Sequence, residues 1–341
     1  MIELNKIIHG DTLETLKTFE PNSIDCIVTS PPYYQLRDYG YSEQWGLEKT
    51  YQEYLDKMVL FMAECKRVIK DSGTMWINLG DSYCNNSSQA EKGRQGFGKD
   101  KIGMLNKNQN DMPSKSLMLI PHRFAIRCVD ELGLILRNDI IWAKPNGMPE
   151  SVTDRFSKKH EFFFLFVKSQ KYYFYLDGVR EKYKPSSIQR LNQNIDFQIG
   201  SERANGGAKT NGNIKAVGKI NTKNYGQKMI GGQVRDNHDI HNCFSENGKN
   251  PGDVSDFWAI TTKPSSAKHY ATFNSELIDK PIVAGCPENG ILLDPFAGTG
   301  TTLVRALQLN RQVIGIEGSK EYTEIAKKNI DKELIKFKLA I

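Results

Sequence analysis

Residues 291–302 read Ile-Leu-Leu-Asp-Pro-Phe-Ala-Gly-Thr-Gly-Thr-Thr. A short apolar run ends on an acid, a turn with two glycines follows, and an amphipathic stretch opens at Thr301. That is a strand, a tight turn and a helix start, the repeating unit of an α/β sheet. Gly298 and Gly300 lack Cβ, so the backbone turns sharply there and a ligand can come close to it. The helix behind them presents N–H groups that have no partner inside the helix. Open α/β sheets bind ligands at the carboxyl ends of their strands. A phosphate-binding P-loop is excluded, because no lysine follows Gly300. The dinucleotide fingerprint lacks its third glycine, which is Leu303 here. An acid does close the next apolar run, Ile314-Gly-Ile-Glu317, where a carboxylate accepts hydrogen bonds from ribose hydroxyls. Turn and acid together point to a nucleoside-containing cofactor; a bare G-x-G is also compatible with a structural turn.

The rest of the chain keeps the same alternation. Residues 6–9, 24–29, 73–79, 134–143, 161–167, 171–175, 291–293 and 312–316 read as strands. Residues 12–18, 51–69, 117–132, 275–285, 301–309 and 319–337 read as helices. The 51–69 stretch has apolar residues at Tyr51, Tyr54, Leu55, Met58, Val59, Met62 and Val68, which is helical spacing. Strands alternating with helices predict a mostly parallel sheet covered on both faces. Trp76 and the aromatic run 162–166 are expected in its core. Two stretches break the pattern: a polar loop at 82–116 and a longer segment at 181–250. The expected organisation is therefore 1–180, an insertion at 181–250, and a return to the α/β pattern at 251–341.

Charge sharpens the picture of the insertion. The 341 residues carry a net +6, and residues 181–250 hold eleven Lys/Arg against six Asp/Glu, with nine Gly and eleven Asn. A basic surface draws phosphate, so a polyanion partner is plausible, although a solvated basic insertion fits the charge equally well. No apolar run is longer than residues 162–167, far short of the roughly 20 residues that cross a bilayer. No secretory signal opens the chain, so no membrane association and a cytoplasmic location are expected. The six cysteines are scattered without zinc-ligand spacing, and no metal is expected. The histidines at 122, 160, 238 and 241 read as surface or core hydrogen-bonding groups rather than catalysts.

A second constellation, Asp25-Cys-Ile-Val-Thr-Ser30-Pro31-Pro32-Tyr33, lies at a strand end. Two prolines fix φ and remove two N–H donors, so they hold their carbonyls rigidly. Ser30 adds a short hydroxyl and Tyr33 a flat face. No nucleophile-plus-base pair is evident. This set suits an exocyclic amine on a planar ring, whose lone pair is delocalised into the ring. Acceptors on its N–H bonds draw it toward a tetrahedral, more nucleophilic state, by positioning and electrostatics alone. Taken alone, the motif also reads as an ordinary Pro-Pro turn.

Together the two constellations resemble the S-adenosylmethionine-dependent DNA amino-methyltransferases of bacterial modification systems. Asp294-Pro295-Phe296-Ala-Gly298-Thr-Gly300, with Thr301 behind it, resembles their cofactor motif, and Thr29-Ser30-Pro31-Pro32-Tyr33 resembles their catalytic motif. Asp11, in His9-Gly-Asp11, looks like the position that reads the cofactor adenine. Glu317 matches the ribose acid, and residues 269–273 resemble the segment beside the methionine end. The order of catalytic motif, insertion and cofactor motif is that of the family's β group. The resemblance implies a doubly wound, mostly parallel seven-stranded Rossmann-like methyltransferase sheet, circularly permuted, with the insertion as target-recognition region.

It also implies double-stranded DNA as substrate, with the target base flipped out and stacked on Tyr33. Ser30 and the Pro31 carbonyl would accept from its amine. A cognate restriction endonuclease and a homodimer are further implied partners. Ser at the first motif position leans toward cytosine N4, and adenine N6 stays open. Cytosine C5 chemistry is discounted, because the one Cys-Pro pair, Cys286-Pro287, stands in the reversed order. Within the insertion, Gln189, Arg190, Arg203 and Arg235 are candidates for DNA contacts, and Lys144 for a phosphate. Residues 37–40 would shape the pocket wall or form a plain turn. An RNA or protein acceptor, and a non-catalytic DNA-binding subunit, are the competing functions.

Overall fold

The β-branched run Ile24–Thr29 and the run Ile291–Asp294, separated by most of the chain, are adjacent parallel strands of one sheet. The computed structural model describes residues 3–36, 38, 40–41, 44–84, 112–182, 229–230, 233–234, 249–250, 255–262 and 275–339. In chain order these form β1 (Lys6–His9), α1 (Thr12–Lys17), β2 (Ile24–Thr29), α2 (Tyr51–Val68), β3 (Ile69–Leu79), α3 (Ile120–Asp130), β4 (Ile135–Ala143) and β5 (His160–Val167). There follow α4 (Leu176–Val179), β6 (Glu181–Lys182), β7 (Met229–Ile230), β8 (Gln233–Val234), β9 (Lys249–Asn250) and β10 (Phe257–Ala259). The chain closes with α5 (Ser275–Gly285), β11 (Ile291–Asp294), α6 (Thr301–Gln308), β12 (Gln312–Glu317) and α7 (Lys320–Leu339).

Two units are present. The first, Met1–Tyr175 with Asp256–Ile341, contains an eight-stranded sheet in the order β1-β12-β11-β2-β3-β5-β4-β10. β1, β12, β11, β2 and β3 run parallel, β5 is antiparallel to both β3 and β4, and β10 lies parallel to β4. This is a doubly wound Rossmann-like sheet in which the last two strands of the chain enter between its first two, a circularly permuted order. The expected count of seven is corrected to eight. β10 has three residues and sits at the edge, too short to leave a periodic signal. The expected strand at 171–175 does not form a ladder. Its alternate N–H groups instead bond singly to neighbours, Tyr173 to the Ser72 carbonyl at 2.8 Å and Tyr175 to the Ala284 carbonyl at 2.8 Å. The second unit, Leu176–Ser255, contains α4 and two antiparallel pairs, β6 with β9 and β7 with β8.

The period of two in the strands divides the first unit's interior. Ile24, Ile27, Met75, Ile77, Phe164, Phe166, Leu293, Ile314 and Ile316 join one cluster with the apolar stripes of α1, α2 and α3. The alternate residues meet the other layer: Thr74 donates to the Gly285 carbonyl of α5 at 2.9 Å, and buried Trp76 donates its indole N–H to Thr74. Helix starts are capped by side chains, one near in sequence and one distant. Thr50 caps α2 by accepting the Glu53 N–H at 3.1 Å, a contact worth about 1 kcal/mol. Asp81 accepts the Leu119 and Ile120 N–H groups at the head of α3, at 3.0 and 3.1 Å, where Pro121 costs no hydrogen bond. The cysteines at 26, 65, 84, 128 and 286 are buried and form no disulfide among the described residues. Among the described residues no helix is long and apolar enough to cross a membrane. No group of His, Cys, Asp or Glu there could hold a metal ion.

Candidate active site

The carboxyl ends of β1, β12, β11, β2 and β3 lie side by side, because these strands are parallel and consecutive in the sheet. At the tip of β11, Asp294 is buried and accepts the Thr29 hydroxyl at 2.7 Å and the Phe296 N–H at 3.2 Å. Burial pushes its carboxyl up to about 6, against the pull of Thr29, Thr302 and the Phe296 N–H. A carboxyl raised in the folded state favours folding most below its ordinary 3.8, and that contribution is lost as pH rises through about 6. The Thr29–Asp294 bond joins the strand carrying the proline turn to the strand carrying the glycine turn.

The glycine turn has the predicted conformation. Gly298 and Gly300 have φ of 53° and 81°, and a Cβ on Gly300 would stand 3.1 Å from the Ala326 Cβ. Gly300 is the N-cap of α6 and has no side chain to cap with, which leaves first-turn N–H groups open to a ligand. Glu317, at the tip of β12, accepts the Gly298 N–H and the Ser319 N–H, each at 2.8 Å. Burial raises its pKa, and those N–H groups oppose the rise. Each oxygen so held keeps a lone pair for another donor. Asp11, after β1, divides its carboxylate: one oxygen caps α1 through the Glu14 N–H at 3.0 Å, the other accepts the Trp45 indole at 3.2 Å. Pro295 accepts the Thr12 hydroxyl through its carbonyl at 2.8 Å. Phe296 packs edge-on against Trp45, with ring centroids 5.2 Å apart. Asp11, the 294–301 turn and Glu317 thus converge, and Trp45, which sequence reading missed, completes their wall.

Beyond β2, Pro31 is buried, and its carbonyl accepts no hydrogen bond among the described residues. The Pro32 carbonyl is occupied by the Tyr54 hydroxyl at 2.9 Å. Ser30 Oγ stands 3.4 Å from the Tyr33 hydroxyl, the Asn78 carbonyl and Asn78 Oδ1. Those distances are too long for strong O–H···O bonds, so the Ser30 hydroxyl is free to turn to a better partner. The Tyr33 hydroxyl lies 2.9 Å from Asn78 Oδ1 and 2.8 Å from Glu161 Oε2, and Glu161 is ion-paired with Lys144. Asn78 is fixed in turn by its amide donating to the Phe162 carbonyl at 3.0 Å. One face of the ring meets Gly80, where a Cβ would fall 2.5 Å from Tyr33 Cε2.

Asn78, Gly80 and Glu161 were not foreseen. Asn78 and Gly80 had a signal, a polar residue and a glycine closing the apolar run 74–79. Glu161 had none, because β5 is antiparallel and brings its first residues, not its last, to this edge. Lys144, the candidate for a phosphate contact, pairs with Glu161 and also lies 4.2 Å from the Trp142 ring centroid. His122 packs edge-on to Phe162 at 4.5 Å with Nδ1 buried and unpartnered, in place of the expected hydrogen bond. Residues 269–273, Gln189, Arg190, Arg203, Arg235, His238, His241, Cys243, Arg37, Tyr39 and most of the 82–116 loop lie outside the described residues.

The chain is similar to known proteins. The Type II methyltransferase M.Cfr9I of Citrobacter freundii is 35% identical over 331 residues, covering 95% of this chain and 88% of the relative. The Type II methyltransferase M.SmaI of Serratia marcescens is 31% identical over 95% of this chain and 90% of its own. Among solved structures, the PvuII DNA methyltransferase (cytosine-N4-specific) superposes with a TM-score of 0.55 at 17% identity, over 96% of this chain and 89% of that one. A Thermus thermophilus protein, assigned as a DNA modification methylase and solved with S-adenosyl-L-methionine, gives 0.52 at 19%, over 96% and 95%. The profile of the DNA methylase family matches residues 24–328, and by that match and these relatives this chain belongs to the DNA methylase family, the N6/N4 amino-methyltransferases.

Proposed function

We propose that this DNA methylase moves a methyl group from S-adenosyl-L-methionine to N4 of a cytosine flipped out of double-stranded DNA. The observation that carries the reading is the 2.7 Å Thr29–Asp294 bond, which ties the Ser30–Tyr33 turn to the glycine turn. Bound there, S-adenosyl-L-methionine supplies an electrophilic methyl on a sulfonium. The residues present fit it: Glu317 offers ribose acceptors, the uncapped α6 N–H groups suit a carboxylate, and Asp11 with Trp45 and Phe296 makes a polar edge on an aromatic wall. Gly298, Gly300 and Thr301 let the backbone approach.

On the base side, Tyr33 forms the stacking face. The unoccupied Pro31 carbonyl and the Ser30 hydroxyl accept from the exocyclic amine, pulling its lone pair out of the ring plane. The extra proton of the methylated nitrogen leaves to solvent or through Ser30. Ser30 at the first motif position supports cytosine over adenine. In this proposal residues 1–180 and 251–341 are the catalytic and cofactor halves, and 181–250, with its net positive charge, reads the target. The Type II names of the relatives support a cognate restriction endonuclease and a cytoplasmic setting; a homodimer follows from the family resemblance.

Methylation-sensitive sequencing of DNA from cells expressing the chain tests this directly. N4-methylcytosine at one short motif is expected; N6-methyladenine there, or no mark, refutes the base assignment. Ser30→Ala is expected to lower kcat about tenfold while S-adenosyl-L-methionine binding stays within twofold. An unchanged rate removes Ser30 from the mechanism. Gly80→Ala would push a methyl into the Tyr33 ring, which its hydroxyl bonds prevent from yielding. About a tenfold loss of kcat is expected, together with a lowered melting temperature because such overpacking costs about 1–3 kcal/mol, measured on purified variant with labelled methyl donor and by thermal melt.

A further inference from the structure

The connection between β4 and β5, residues 144–159, starts and ends at the edge that carries the site. Lys144 and Glu161, at its two ends, belong to the network around Tyr33. The loop is braced along its length. The Lys144 N–H continues the ladder to the Lys159 carbonyl at 2.8 Å. Asn146 exchanges hydrogen bonds with Thr262 at 2.8 and 2.9 Å. Arg155 pairs with Glu150 at 2.5 Å and lies 3.9 Å from the Tyr83 ring centroid. Asp154 pairs with Lys115 at 2.7 Å, and Lys158 donates to the Asp81 carbonyl.

Against this bracing, Phe156 is 96% exposed and Met148 86% exposed. A single exposed apolar side chain is common on a protein surface; what sets Phe156 apart is a braced backbone on a connection that starts and ends at the edge carrying the site. Arg155 even holds the Phe156 carbonyl, at 3.1 Å, which fixes the chain at the point where the ring stands out. Of the cations on this connection, Lys144, Arg155 and Lys158 are held by Glu161, Glu150 and the Asp81 carbonyl, and the exposed Lys159 is the one placed to meet a phosphate. An enzyme that swings a base out of a duplex must tolerate the gap that remains, and apolar wedges are the usual filler between base steps.

We propose that Phe156 is the wedge that enters the duplex and occupies the space vacated by the target base. The proposal rests on the reading that this chain acts on a flipped base in duplex DNA. It makes Phe156 a positioning residue: it holds the open duplex and touches neither the methyl donor nor the reacting nitrogen.

The test compares Phe156→Ala, Phe156→Trp and the unaltered chain on two duplexes containing the motif found by sequencing. One is fully paired; the other has an abasic site opposite the target base, so that opening costs little. Phe156→Ala is expected to lower kcat/KM about tenfold on the paired duplex and less than twofold on the abasic one. Phe156→Trp should restore most of the loss, and 2-aminopurine at the target position should brighten less with the alanine variant. Equal rates for all three proteins on the paired duplex overturn the proposal. Equal losses on both duplexes also overturn it, since Phe156 would then be an ordinary DNA contact. A changed sedimentation coefficient of Phe156→Ala, with unchanged rates per site, would make the ring a self-association contact and equally refute the wedge. If the unaltered chain methylates neither duplex, the functional reading fails rather than the wedge.

Discussion

Tyr33→Ala is expected to lower kcat by about two orders of magnitude or more while leaving the affinity for S-adenosyl-L-methionine within twofold. The ring is the proposed stacking face for the flipped base, and loss of a stacking aromatic costs about 1–3 kcal/mol per base. A further loss comes from geometry, because a misplacement of about 1 Å between reacting atoms costs on the order of a hundredfold. The cofactor residues lie at other strand tips, on β1, β11 and β12, so their binding should not report the change. Tyr33→Phe separates the two roles of the side chain. It keeps the face but removes the hydroxyl held between Asn78 and Glu161 at 2.9 and 2.8 Å, and a loss of about tenfold is expected. Single-turnover methylation, with a thermal melt to confirm folding, is the measurement. An alanine variant that keeps more than a tenth of the rate would show that Tyr33 is not the platform.

The division between what sequence disclosed and what it hid has physical causes. The glycine turn, the proline turn and Glu317 were legible because each sits at the end of a parallel strand, where backbone requirements and residue type coincide. Gly298 and Gly300 occupy positive φ that other residues adopt only at a cost. Glu161 was not legible as a site residue, nor Lys144 as its partner, because they come together only through the antiparallel pairing of β4 and β5. Trp45 looked like any apolar residue ahead of a helix, and its role depends on a hydrogen bond to Asp11, 34 positions away. The eighth strand was hidden by length, since three residues at a sheet edge carry no readable period. The strand expected at 171–175 failed for the opposite reason: its composition suits a strand, but the Tyr173 and Tyr175 N–H groups bond to Ser72 and Ala284.

Glu317→Ala is expected to raise the dissociation constant for S-adenosyl-L-methionine about a hundredfold, which corresponds to about 2.7 kcal/mol. The carboxylate does two things in the proposed site. It receives the Gly298 and Ser319 N–H groups, shaping the glycine turn, and it keeps lone pairs for ribose hydroxyls. Alanine removes both functions and strands two N–H groups, each costing about 1–3 kcal/mol when buried, so a lower melting temperature should accompany weaker binding. Glu317→Gln retains one acceptor oxygen but turns an NH2 toward a backbone donor, and should fall between the two. The pH dependence distinguishes ligand contact from scaffolding. Burial raises the Glu317 pKa above its ordinary value of 4.5, so this group favours the folded chain most below 4.5 and loses that advantage as pH rises through the raised value. Ligand affinity should run the other way, since hydroxyl donors prefer the ionised form: it should weaken on acidification through that same interval. Calorimetric titration of the unaltered protein should show that slope, and Glu317→Gln, which has no proton to gain, should lack it. Identical pH profiles for the two proteins would confine Glu317 to holding the turn.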